Sequence, residues 1–179
     1  MKITFVRHGQ TDFNKEGKTQ GQEVDLPLND AGIAQAEAVI LPSPNIDLII
    51  SSPLKRASQT AEIINRKYNA PLLHMDDAKE FNYGTLSGKT WAEIEAETGD
   101  MDIHKKDITA SYDYRPYGGE SADEVRERVT RFLNEVKMNH SDKNVLIVTH
   151  GGIIEAMQSL FSSNEIVEAQ NAQLYEFEI

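Results

Sequence analysis

Three short apolar runs constrain this chain more than any other feature. Lys2–Val6, Ile46–Ile50 and Val145–Val148 are built mostly from Ile, Val, Leu and Phe, and a helical pattern follows each of them. Runs this short and apolar fit strands covered on both faces, as in a parallel sheet. Asn29 caps an expected helix over Asp30–Leu41, with Ile33, Ala36 and Ile40 on one face and Pro42 ending it. Ser52-Pro53 supplies a cap and a first-turn proline for Leu54–Tyr68. Thr90 with Glu93, and Ser121 with Glu124, have capping-box spacing and open helices over Trp91–Glu97 and Ala122–Lys137. Leu72–His74 is a short strand, a helix is expected near 103–112, another covers Ile153–Leu160, and Leu174–Ile179 closes the sheet. The fold class is therefore α/β: a three-layer α/β/α sandwich with a mostly parallel central sheet and helices on both faces.

In such folds, sites lie beyond the carboxyl ends of the strands. The first strand runs into Arg7-His8-Gly9, the last of the three runs ends at Thr149-His150-Gly151, and Ile46–Ile50 ends before Ser51, Ser52 and Arg56. Parallel pairing would gather these residues at one edge of the sheet.

Composition narrows what that edge binds. The 179 residues contain no Cys, which excludes a thiol nucleophile, a thiolate metal site and a disulfide scaffold. Their length suits one domain, 1–179, whose native surface should be about 8,700 Å². The formal charge of −11 argues against nucleic acid, which is bound through basic groups on phosphates. That charge is uneven. Residues 1–74 have eight basic and eight acidic groups, whereas residues 75–124 have five basic and thirteen acidic. No apolar stretch approaches the ~20 residues of a membrane span, and the start has no signal-peptide pattern, so a cytoplasmic protein without a membrane partner is expected. A homo-oligomer is compatible with the sequence.

Two histidines, two arginines and a carboxyl group suffice for phosphoryl transfer without a metal. A neutral imidazole can attack phosphorus and carry the phosphoryl group covalently. Arginines and a second, protonated histidine offset charge on the phosphoryl oxygens. A carboxyl group, here Glu80 in the loop Asp76–Gly88, protonates the leaving alkoxide and then deprotonates water. A zinc site fits badly, because arginines beside the histidines would repel the ion.

Arg7-His8-Gly9-Gln10-Thr11 with Asn14 resembles the opening signature of the histidine phosphatase superfamily, the phosphoglycerate mutase-like fold. The resemblance continues through Gln20-Gly21, Asp25, Gly32, Gln35-Ala36, Ser51–Leu54, Arg56-Ala57 and Gln59–Ala61. It ends with Glu80, Gly84, Gly118–Ser121 and Val148–Gly152. It implies His8 as the phosphorylated nucleophile, with its other ring nitrogen held by a backbone carbonyl. It further implies a phosphate pocket of Arg7, Arg56 and His150, with Asn14 at the phosphate, and Glu80 as proton donor and acceptor. Gln20 and Thr11 are implied at the rim and Gly151 beside the pocket, with no metal and no cofactor. Ser87 stands where Glu is common, and the spacing from Gln20-Gly21 to Asp25 is slightly long; both touch the rim. A lid-like insert is expected over about 81–120.

The expected function is a metal-independent phosphomonoesterase acting on a small phosphorylated metabolite. The alternatives are a cofactor-dependent phosphoglycerate mutase, whose larger enclosure this chain lacks, and a catalytically silent phospho-ligand binding module. His74, His104 and His140 are expected to be structural or solvated.

Overall fold

The computed structural model describes residues 1–162 and 164–179. Five strands form one sheet: β1 (Lys2–Arg7), β2 (Leu48–Ser51), β3 (Leu72–His74), β4 (Val145–Thr149) and β5 (Leu174–Glu178), in the order β3-β2-β4-β1-β5. The pairs β3-β2, β2-β4 and β4-β1 are parallel, and β5 runs antiparallel along the outer edge of β1. The helices are α1 (Asp12–Glu16), α2 (Asp30–Ala38), α3 (Lys55–Tyr68), α4 (Trp91–Thr98), α5 (Ile103–Ile108), α6 (Ala122–His140) and α7 (Gly151–Phe161).

Alternation along the strands sends side chains to both faces. Phe5, Ile50 and Ile147 join the cluster that holds Val129, Phe132 and Leu133 of α6 and Ile153, Ile154 and Met157 of α7. Val6, Ile49, Leu146 and Val148 face Ala57, Ala61 and Ile64 of α3. The central strands are buried on both sides, as the three-layer reading requires, and the surface of 8444 Å² is close to the expected area.

The corrections are local. α2 stops at Ala38, and its buried face is Gly32 and Ala36, while Ile33 and Ile40 are 39% and 80% exposed. A Cβ on Gly32 would lie 2.1 Å from the Gln10 carbonyl oxygen. This helix therefore seats by backbone approach, which an apolar periodicity cannot register. α3 opens at Lys55, without a side-chain cap from its own chain neighbours. Asp25 Oδ1 accepts from the Lys55 N–H at 2.7 Å instead, and Ser52 is drawn elsewhere. The short helix α1 was not expected at all; its capping box pairs Thr11 with Asn14 rather than with Glu or Gln.

The segment 81–120 is bolted to the body. Phe81, Tyr83, Tyr112 and Tyr114 pack as an aromatic group within the α6–α7 core, with Phe81 and Tyr112 stacked at 4.5 Å. Helix α6 starts at a complete capping box: Ser121 Oγ accepts from Glu124 N–H, and Glu124 Oε2 accepts from Ser121 N–H at 2.8 Å. Ser121→Ala should lower stability by about 1 kcal/mol, read as a shift in the urea midpoint at unchanged m-value.

Candidate active site

The sheet register makes the site. Arg7 pairs with Thr149 and Ser51 with Val148, so the residues after three parallel strands emerge level. His8 N–H continues the ladder to the Thr149 carbonyl at 2.9 Å, and Ser52 N–H to the Val148 carbonyl at 3.0 Å. The His8 and His150 rings stand 5.2 Å apart, both buried.

His8 is fixed by its own turn. Its Nδ1 donates to the Gly9 carbonyl at 2.7 Å, which leaves the Nε2 lone pair free. Gly9 N–H donates to Thr60 Oγ1 at 3.0 Å, and that hydroxyl donates to the Arg56 carbonyl at 2.7 Å, tying the histidine turn to α3. Burial, then the charges of Arg56 and Arg7, hold the His8 pKa well below the ordinary imidazole value.

Arg56 is 1% exposed and donates to the carbonyls of Val24 (3.0 Å) and Gly21 (2.7 Å). Burial lowers its pKa to about 10, so it stays charged at neutral pH. Arg7 donates to the Ala169 carbonyl. His150 Nε2 lies 2.8 Å from Ser52 Oγ, which also accepts from Leu54 N–H at 3.3 Å. Burial, then Arg56, His8 and Arg7, lower the His150 pKa well below its ordinary value. Burial first, and then the two guanidiniums, thus act against a charge on His150.

Glu80 lies between two backbone donors, Phe81 N–H at 3.1 Å and Gly152 N–H at 3.4 Å. Burial raises its pKa despite the opposing charge of Arg56. Its loop is stapled by the ion pair of Arg128 and Glu120, both contacts at 3.1 Å. Arg128 also donates to the carbonyls of Asp77 and Lys79, and Glu120 Oε2 accepts from Asn82 N–H. Glu120 lies in the Gly118–Ser121 motif, whereas Arg128 was not singled out from sequence, where it is one charge among many.

These groups open onto a cavity of about 280 Å³, lined by Arg7, His8, Arg56, Glu80 and Gly151, and also by Asn14 and Gln20. Thr11 is buried off the cavity wall; its hydroxyl caps α1 through Asn14. Ser87 is also absent from the wall, its Oγ buried without a partner. His104, expected in solvent, lines the cavity and stacks on Trp91 at 4.4 Å. Its α5 neighbours one turn on, Asp107 and Ile108, line it too, as does Glu155 of α7. The spacing of His104, Asp107 and Ile108 is helical, a signal that only a confident helix assignment would have exposed. Among the described residues, no group of three or more His, Asp or Glu stands together to hold a metal ion, and no helix is long and apolar enough to cross a membrane.

Residues 3–179 match the histidine phosphatase superfamily (branch 1). The chain is 35% identical over 175 residues to an uncharacterized phosphatase of Bacillus subtilis, covering 96% of this chain and 82% of that protein. It is 32% identical over 161 residues to a metal-independent phosphoserine phosphatase of Arabidopsis thaliana, covering 87% of this chain and 66% of that protein. A solved structure of a mycobacterial glucosyl-3-phosphoglycerate phosphatase in complex with VO3 superposes with a TM-score of 0.85 at 27% identity, covering 98% of this chain and 91% of that one. The chain belongs to the histidine phosphatase superfamily, and its reaction is that of a phosphomonoesterase.

The two glycines after His150 are not equivalent. A Cβ on Gly151 would lie 3.4 Å from the Arg7 guanidinium, whereas one on Gly152 would lie 1.9 Å from the Phe81 ring and 2.7 Å from Glu80 Oε1. Gly152→Ala should therefore cost about 1–3 kcal/mol as an overpacked core does, and Gly151→Ala distinctly less, compared by urea denaturation of the two variants.

Proposed function

We propose that the chain hydrolyses small phosphorylated metabolites through a phosphohistidine at His8, without a metal ion. The observation that carries this is the Nδ1–H···O=C bond to Gly9, which presents a neutral Nε2 lone pair between two guanidiniums. Nε2 attacks phosphorus, and the bond from phosphorus to the leaving oxygen breaks as the Glu80 carboxyl proton passes to that oxygen. Water then attacks the phosphohistidine and gives its proton to the Glu80 carboxylate. The P–N bond breaks, inorganic phosphate leaves, and both side chains return to their starting states.

Arg7, Arg56 and His150 hold the phosphoryl oxygens and meet the charge that shifts onto them. Asn14 and Gln20 act from the wall on the phosphate and the ester's organic part. Gly151 leaves room for the Arg7 guanidinium, and Thr11 acts indirectly, by fixing Asn14. The acidic wall disfavours a doubly phosphorylated cofactor, which weighs against mutase chemistry, and the complete set of reacting groups weighs against a silent module. The relative named as metal-independent supports the absence of a metal. A cytoplasmic site of action fits a phosphatase without a membrane-spanning helix among its described residues.

Hydrolysis of p-nitrophenyl phosphate should survive a chelator undiminished, and a rapid quench should trap an acid-labile, alkali-stable phosphoprotein that His8→Ala lacks. Full activity in His8→Ala would overturn the mechanism. Glu80→Gln should lower kcat on alkyl phosphates by about 10²–10⁴-fold, with a much smaller loss on p-nitrophenyl phosphate, whose leaving group hardly needs the proton.

The pH profile should carry the same signs. Glu80 works as an acid only while protonated, so its raised pKa keeps activity beyond the usual carboxylate range, and the rate falls as pH climbs through that value. His8 works only while neutral, so the acid limb falls well below the ordinary imidazole pKa. Glu80→Gln should flatten the alkaline limb of kcat/KM for an alkyl phosphate.

A further inference from the structure

Two guanidiniums that line the cavity keep an unmet donor: Arg7 Nε and Arg56 Nε are buried with no partner among the described residues. A phosphoryl group, which carries only acceptors in its dianionic form, meets them. Other residues of the lining offer acceptors. Glu155, 4% exposed, takes Ala169 N–H on Oε1 at 3.1 Å, and its Oε2 makes no hydrogen bond among the described residues. Gln20 is an independent mark of a ligand: it lines the cavity, is 6% exposed, and its buried Oε1 has no donor. Asp107 completes this wall, 7% exposed, with Tyr114 O–H at 2.7 Å on one oxygen and Tyr83 O–H at 3.3 Å on the other.

The placement is built into two helices. Glu155 is one turn beyond Gly151 on α7, so it stands above the glycine that backs Arg7. Asp107 is on the cavity face of α5 and is anchored in the aromatic core.

We propose that the substrate is a phosphomonoester whose alcohol part carries a protonated amine, accepted by the carboxylates of Glu155 and Asp107. This rests on the phosphatase reading above and narrows it. A phosphoryl group cannot supply donors to that wall; the organic part of the substrate must. A hydroxyl would donate too, but it would bring no charge to Asp107, which stands among Tyr114, Tyr83 and the acids Glu80 and Glu168. The crowding of the two carboxyls is visible: Asp107 is pushed up to about 8 by burial, and Glu155 is raised well above its ordinary value by burial and then by Asp107. An ammonium group restores both to their ionised forms and offers the donors they lack. A second phosphate or a carboxylate on the substrate would meet the same wall as repulsion.

The test compares 2-aminoethyl phosphate with its near-isostere 2-hydroxyethyl phosphate, which share a phosphate, a chain length and a leaving-group type. The wild-type kcat/KM ratio should favour the amine by about tenfold or more, the range of a charge-assisted hydrogen bond. Glu155→Gln and Asp107→Asn should each reduce that ratio by about tenfold, a readout that cancels any loss common to both esters. Should a variant fail to fold, inhibition of wild-type p-nitrophenyl phosphate hydrolysis decides the matter, with 2-aminoethylphosphonate expected to bind about tenfold or more tightly than 2-hydroxyethylphosphonate. A ratio near or below one, or a ratio that neither variant moves, overturns the proposal and leaves the phosphatase reading standing. Failure of the wild type to hydrolyse p-nitrophenyl phosphate and both alkyl esters removes the two readings together.

Discussion

Arg56 is the largest of the fully buried side chains, and backbone carbonyls hold its guanidinium in place of a carboxylate. Taking such a charge from water is costly unless its donors are met and an anion stands near. Much of the site follows from meeting that demand. The loop from Gly21 to Val24 is bent around the guanidinium, which explains the slightly long spacing before Asp25. Asp25 in turn ends that loop on the first N–H of the helix that carries Arg56. The same charge adds to burial in lowering both buried histidines and opposes it at Glu80, so one cation acts on three of the grouped residues.

The rigid parts around it keep an imidazole of lowered pKa and a carboxyl of raised pKa in one site. Glu80 is held by the first turn of α7 and by a loop that Arg128 and Glu120 clamp to α6. Gly152 is the point of contact, since no side chain fits between that turn, Phe81 and Glu80. Because the insert is packed through its aromatic residues, its acidic wall stands at a fixed place in the cavity. The charge of −11 is unevenly placed around the cavity: the neutral first part contributes Arg7, His8 and Arg56, and the acidic middle contributes Glu80 and Asp107.

Much of this was legible along the chain. The strands were short and apolar, two of them ended in histidine, and parallel pairing made their meeting a geometric consequence. Less was legible where tertiary contacts override local pattern. Ile33 and Ile40 suggested the wrong face of α2, because that helix seats on Gly32 and Ala36 against backbone. Ser52 looked like a helix cap, and its hydroxyl, besides accepting from Leu54 N–H, pairs with His150, a residue 98 positions away. Thr11 looked like a rim residue and spends its hydroxyl on α1.

The sequence by itself determined the layer architecture and the identity of the reacting groups, because strand length, helix caps and residue chemistry are local properties. The proton affinities of those groups were decided only by the tertiary structure, since burial and the charges of Arg56 and Arg7 lower the pKa of both buried histidines. The same holds for the wall of Asp107, His104 and Glu155. Each is an ordinary polar residue in its own helix, and only the packing of α5 and α7 turns them toward one cavity.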